Sequence, residues 1–196
     1  MKEFFKRNRK VLVVSLIIFM VFAVASAIVS FIMIGNNYGV ISGNMTQAIA
    51  NGTVAEGSDF TMDTLEVFLH NLSANLIIIA GGLLFSVVSI LATVLNAVSI
   101  GSAFGVDLAY FAPAILPHGI IEYAATVFAL AAAFKITQLE ITVIKTRNLR
   151  NTLSDRNREL KDIGIMILIV VVLLAIAAVI EANFTVKIAM WIFGMN

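Results

Sequence analysis

Residues Val11–Ile34, VLVVSLIIFMVFAVASAIVSFIMI, hold 24 positions without a charged side chain. About 20 apolar residues of helix cross the hydrocarbon core of a bilayer, so this stretch reads as a membrane span. The residues ahead of it, MKEFFKRNRK, carry Lys2, Lys6, Arg7, Arg9 and Lys10 against Glu3 alone. That basic flank places the N-terminus in the cytoplasm. Ala23-Val24-Ala25 and Ala25-Ser26-Ala27 have the small-residue form of signal-peptide cleavage sites. The apolar run continues to Ile34, longer than a normal signal core, which favours an uncut anchor over a cleaved leader.

The rest of the chain agrees with this start. Of 196 residues, 60% are hydrophobic and 13% are charged, and mean hydropathy is +1.00. Soluble domains average about 45–50% apolar and about 25% charged. A soluble enzyme, a disordered chain and a nucleic-acid binder are therefore disfavoured, and no nucleic-acid partner is expected. The absence of cysteine excludes disulfides, thiolate metal sites, iron–sulfur clusters and cysteine nucleophiles.

Beyond Ile34 an outer loop, 35–73, is expected. Gly35 to Asp63 is polar, with Glu56, Asp59 and Asp63 and no Lys or Arg. Its tripeptides Asn44-Met45-Thr46 and Asn51-Gly52-Thr53 match a glycosylation acceptor, a pattern that chance supplies readily in an Asn/Thr-rich loop. Asp63-Thr64-Leu65-Glu66 resembles a capping box. Leu65, Phe68, Leu69 and Leu72 then fall on one helix face, predicting a short amphipathic helix on the outer surface. A charge-free second span follows at about 74–95 and contains Gly81-Gly82.

Asn96–Thr137 is interrupted by Pro113 and Pro117. Two spans are expected here, 96–111 and 117–136, with Pro117 opening the second. The first either crosses or dips in and returns. The next segment, 137–162, decides: with its flank it holds Lys135, Lys145, Arg147, Arg150, Arg156, Arg158 and Lys161 against Glu140, Asp155, Glu159 and Asp162. This cluster belongs in the cytoplasm, which requires five crossings; a re-entrant helix would put it outside. A last span, 163–182, runs outward. The tail presents Phe184, Ile188, Trp191 and Ile192 on one face, as an amphipathic anchor on the outer surface. The expected fold is all-α: one polytopic membrane domain, 1–196, of about five transmembrane helices plus short interfacial helices. Its C-terminus would lie outside the cell membrane.

Ionisable side chains in hydrocarbon cost roughly 2.5–3.5 kcal/mol at a span centre. Asp107, His118 and Glu122 fall inside the expected spans, while Glu181 sits at a span end. His118 and Glu122 are four apart and share a helix face. A turn around Pro113–Pro117 would bring Asp107 to the same outer half. The functional reading is a ligand or proton site, or a polar contact for a partner helix. The structural reading has His118 satisfying carbonyls of the turn and Glu122 accepting from Asn96 or Tyr110. A metal is not expected, since no HExxH pair occurs, and His70 reads as a surface residue. No cofactor fingerprint is present.

Gly101-Ser102-Ala103-Phe104-Gly105 is a GxxxG. With Gly81-Gly82 and Ala124, Ala125, Ala129 and Ala131–Ala133 it predicts close helix contact, within one chain or in a homo-oligomer. Ser102 lacks the context of an intramembrane serine protease.

The stretch FLHNLSANLIIIAGGLLFSVVSILATVLNAVSIGSAFG, followed by ILPHGIIEYAATVFALAAAFKI, resembles the stage II sporulation protein M family. The resemblance covers Phe68 to Ile136, about a third of the chain. It rests on Phe68 and Asn71, Gly81, Gly82, Asn96, Gly101, and the element Pro117, His118, Gly119 and Glu122. Ala97 departs from the usual glycine. The resemblance implies about five spans, no soluble domain, and a platform that holds envelope or cell-wall-remodelling proteins. Sporulation itself does not carry over.

Two classes of function follow. One is a non-enzymatic membrane scaffold for partner proteins. The other is an oligomeric transporter or channel using Asp107, His118 and Glu122. An intramembrane hydrolase is a third, for which His118 and Glu122 offer acid and base but no nucleophile is visible.

Overall fold

A computed structural model describes residues 2–35, 63–106 and 108–185. Helix α1 is Lys2–Gly35, α2 Thr64–Ala80, α3 Val87–Val106, α4 Leu108–Thr146, α5 Leu149–Asp155 and α6 Asn157–Ile180. A 3-10 turn, Gly81–Leu84, ends α2, and a π turn, Glu181–Thr185, follows α6. There is no strand among the described residues. Lys2–Met33, Thr64–Leu84, Leu116–Thr146 and Asn157–Phe184 are each long and apolar enough to cross a membrane, and Val87–Ser102 of α3 is apolar but shorter. The chain is an all-α polytopic membrane protein.

Side-chain pairs give the direction of each helix. Arg7 meets Asp162, and Lys10 and Val11 share a recess with Ser86 and Thr137. The start of α1, the α2–α3 turn, residue 137 of α4 and the start of α6 therefore share one end, here the basic end. Phe19 packs with Ala97 and Val127 further along, and Asn71 meets Glu122 toward the opposite end. Helices α1, α3 and α6 run one way; α2 and α4 run the other.

The α2–α3 reversal corrects the expected span boundaries. The sequence predicts a surface helix before residue 74, one span over 74–95 and another over 96–111. Instead Thr64–Leu84 is one helical stretch long and apolar enough to cross, and Val87–Val106 is the next helix. Phe85 and Ser86 make the turn in the left-handed region, at φ 52° and 58°, a strained place for non-glycine residues. Neighbours hold it there. Ser86 Oγ pairs with Thr137 Oγ1 at 2.6 Å, Thr137 donates to the Gly82 carbonyl at 2.7 Å, and Ser89 donates to the Ile78 carbonyl at 2.6 Å. A Cβ on Gly81 would meet Ser89 N at 2.7 Å, and one on Gly82 would meet the Ala133 oxygen at 2.7 Å. The glycine pair is thus the close approach that lets an apolar segment turn back, an event to which hydropathy is blind.

Asp63 does cap α2: its side chain accepts from the Leu65 N–H at 2.9 Å. The proline break is a second correction. Helix α4 runs unbroken through Pro113 and Pro117 from Leu108, so its start is not at Pro117 and no turn lies between the prolines. Membrane helices tolerate proline because neighbouring groups satisfy the freed carbonyls. Asp107 lies outside the described residues, as do residues 36–62 and those from 186.

The core lies between α2, α4 and α6. Ala125, Ala129 and Ala131–Ala133 have no exposed surface, and Ile78, Leu130, Met166 and Val170 fill the space around them. Small side chains on α4 let the flanking helices approach, which is how membrane helices gain packing energy. On the far side α1 lies along α3. A Cβ on Gly101 would fall on the Ala23 carbonyl oxygen and within 3.0 Å of Ala23 Cα, so the GxxxG glycine serves contact within the chain. Ser26 donates to the Val98 carbonyl at 2.6 Å and pairs with Ser102 at 2.9 Å. The outward faces, with Ile17, Val21, Ile28 and Leu168 more than half exposed, suit lipid.

Candidate functional site

A cavity of about 280 Å³ opens between α2, α3 and α4. Helix α2 contributes Asn71 and Asn75, one turn apart; α3 contributes Asn96; α4 contributes Glu122, Tyr123 and Thr126. Leu174 of α6 closes one wall, and exposed His70 also lies on the lining. Each polar residue stands in an otherwise apolar helix, so its side chain turns inward rather than to lipid.

Asn71 Nδ2 donates to Glu122 Oε1. Asn75 Nδ2 donates to the Asn71 carbonyl at 2.9 Å, tying two successive turns of α2 together. Asn96 Nδ2 reaches Thr126 Oγ1 at 3.5 Å, a long bond. Glu181, just past α6, is close enough to act electrostatically on both His118 and Glu122.

The structure therefore brings together part of the predicted cluster. Asn96 and Glu122 line one cavity. His118 is buried one turn away on α4 and is not on that lining. Asp107 lies outside the described residues. Glu122 accepts from Asn71 rather than from Asn96, whose amide reaches Thr126, and the unbroken α4 leaves no Pro113–Pro117 turn for His118 to cap. Asn75, Tyr123 and Thr126 were missed. Their signal was available, as amides and hydroxyls at spacings of three and four within apolar helices. Ser102 is taken up by Val98 and Ser26. Among the described residues no group of three or more His, Asp or Glu side chains gathers as for a metal.

A second polar cluster sits at the basic end. Arg7 holds Asp162 with two bonds, Nε to Oδ2 at 2.6 Å and Nη2 to Oδ1 at 2.5 Å. Asn8 Nδ2 adds a third at 3.0 Å. Asp162 is fully buried, while the Arg7 side chain is 42% exposed. Asp162 directly precedes the charge-free run 163–180.

The model of the family described as Stage II sporulation protein M matches residues 11–186. The chain belongs to that family. The match takes in the four helices long enough to cross a membrane and the shorter apolar α3, well beyond the stretch 68–136. A relative from Methanocaldococcus jannaschii, an uncharacterized protein, is 28% identical over 132 residues, covering 64% of this chain and 72% of the relative. No solved structure matches.

The fold gives physical jobs to the positions on which the resemblance was read. Asn71 and Glu122 bridge α2 and α4, Gly81 and Gly82 form the reversal, and Gly101 seats α1. Ala97, read from the sequence as a departure from the resemblance, is fully buried beside Phe19. A methyl group therefore fits at this position.

Proposed function

We propose that the protein is a non-enzymatic polytopic scaffold of the cell membrane that binds partner proteins, in the way the family resemblance implies for envelope remodelling. The observation that supports this reading is a groove of about 570 Å³ along α1, α3 and α4. Its walls are apolar, with Leu16, Met20 and Val24 of α1 and Leu116 and Ile120 of α4 each more than a third exposed. A partner's membrane helix, or a second copy of the chain, fits such a face. The test is purification from the host in mild detergent, comparing wild type with Val24→Trp and Ile120→Trp. The scaffold reading expects a co-purifying protein that both variants lose while their Tm holds. Recovery of this chain alone under every condition overturns it.

In this reading the basic end faces the cytoplasm and the C-terminal end faces outward, by the positive-inside rule. The chain has no cysteine, so single cysteines at Lys145 or Lys161 report the orientation cleanly. Labelling by an impermeant maleimide from outside intact cells overturns it.

A second reading, an oligomeric transporter or channel, draws support from the polar cavity around Glu122. It expects liposome flux that falls in Glu122→Gln and His118→Ala. Flux unchanged in both variants removes it.

A further inference from the structure

The basic end carries a recess that the scaffold reading does not use. About 340 Å³ in volume, it lies where Lys10 and Val14 of α1 meet Phe134 and Gln138 of α4, beside the α2–α3 reversal. Its floor is chemically complete. Thr137 gives its hydroxyl hydrogen to the Gly82 carbonyl, and Ser86 is paired to Thr137. Its rim is not. The exposed side chains of Lys10 and Gln138 have no hydrogen bond or ion pair among the described residues. Val11, Val14, Phe85 and Phe134 make the remaining walls apolar. The recess thus joins a cation and an amide at its mouth to an apolar interior. It sits where the charged flank of α1 gives way to the charge-free run from Val11, which is the level of the lipid headgroups.

Charge and shape narrow the occupant. Asp162 is held by Arg7, Glu3 lies about two turns further out on α1 and acts on Arg7, and Glu140 is not on the lining. Lys10 therefore meets the headgroup layer without a counter-charge from these acids. Beyond Lys10, the residues Val14, Ile17 and Val21 follow at spacings of four, three and four, on a single helix face. Each is about half exposed, and the face lies opposite buried Ser15 and Phe19. One leaflet is half of a hydrocarbon core of about 30 Å, or about ten residues of helix, so an acyl chain that starts at Lys10 ends near Val21. A partner helix, about 10–12 Å across, is too wide for a recess bounded by one turn of α1 and one turn of α4. A soluble anion would meet the cation but leave the apolar walls bare.

We propose that this recess binds an anionic phospholipid, with its phosphate at the Lys10 ammonium and the Gln138 amide and an acyl chain against Phe85, Phe134 and the face of Val14, Ile17 and Val21. Basic pockets between membrane helices hold such headgroups. The site needs no partner protein, so it stands apart from the scaffold reading.

The test is native mass spectrometry of the full chain in mild detergent, titrated with dioleoyl phosphatidylglycerol or with dioleoyl phosphatidylcholine, which has the same chains and no net charge. The expected result is one bound phosphatidylglycerol, held about fivefold more tightly than phosphatidylcholine, the scale of one cation at a membrane surface. The preference should fall to near parity in Lys10→Ala. It should do so too in Val14→Trp, which fills the recess and keeps every charge. It should persist in Arg158→Ala, which removes an exposed cation away from the recess. Equal affinity for the two lipids in wild type overturns the proposal, whether or not the variants fold. So does a preference that an equimolar amount of glycerol phosphate abolishes, which would make the ligand a soluble phosphate. A preference unchanged in Lys10→Ala or in Val14→Trp, or lost equally in Arg158→Ala, places the lipid elsewhere and overturns it as well.

Discussion

The molecule holds a buried acid and a half-buried one in opposite ways. At the basic end Asp162 has no exposed surface and receives three hydrogen bonds, two from an arginine and one from an amide. Near the other end Glu122 accepts one among the described residues, from Asn71, and lines a cavity. The first arrangement neutralises its charge internally and joins α1 to α6. The second leaves an acid beside open volume. A closed ion pair fastens helices; an acid on a cavity wall has one neighbour and room beside it.

The largest expected loss breaks the frame that supports both clusters. Gly101→Leu forces a side chain onto the Ala23 backbone and should lift α1, with Arg7, off the bundle. Overpacking of this kind costs on the order of 3 kcal/mol. The measurement is the monodisperse fraction in detergent and the Tm of what remains.

The next effect sharpens the closed pair. Arg7→Ala strands the buried Asp162 carboxylate, so its Tm should fall clearly. Asp162→Ala leaves a guanidinium that is already partly exposed, so its Tm should fall less. The double variant should recover part of the Arg7→Ala loss. A pair of singles with equal Tm contradicts the buried-acid asymmetry.

Smaller changes probe the open cluster. Asn71→Leu removes the donor to Glu122 and should cost about 1–2 kcal/mol. Glu122→Gln, which keeps volume and needs less compensation, should cost less than that. Asn75→Leu should fall within about 1 kcal/mol of wild type, because the oxygen it deletes has no partner among the described residues and only the bond to the Asn71 carbonyl is lost. A large Asn75 penalty would show that its side chain is structural.

Much of this was legible in composition and charge placement. The charge-free runs at Val11–Ile34 and after Asp162 announce helices in lipid. The small residues at Gly101 and along Ala125–Ala133 announce tight contacts. Boundaries were harder. Hydropathy averages over a window and reads Ala74–Leu95 as one span, whereas the reversal at Phe85-Ser86 is written only in the paired glycines and in hydroxyls at Ser86, Ser89 and Thr137. Pro113 and Pro117 look like breaks on rules learned in water, where a freed carbonyl has other options. The cavity was half visible: Glu122 and Asn96 stood out as polar residues in apolar helices, but their companions became apparent only once α2 was known to run beside α4. The Arg7–Asp162 pair, 155 residues apart, has no local signature at all.

That separation matters during synthesis. Chains emerge at roughly 5–20 residues per second, so Arg7 waits on the order of ten seconds or more before Asp162 exists to meet it. Ala23 waits several seconds for Gly101. Throughout that interval the first helix has only lipid, or a helper protein of the insertion machinery, for company. The bundle is sealed from its last helix back to its first, so a chain truncated before Asp162 would present its leading helix without its clasp and be open to quality-control proteolysis.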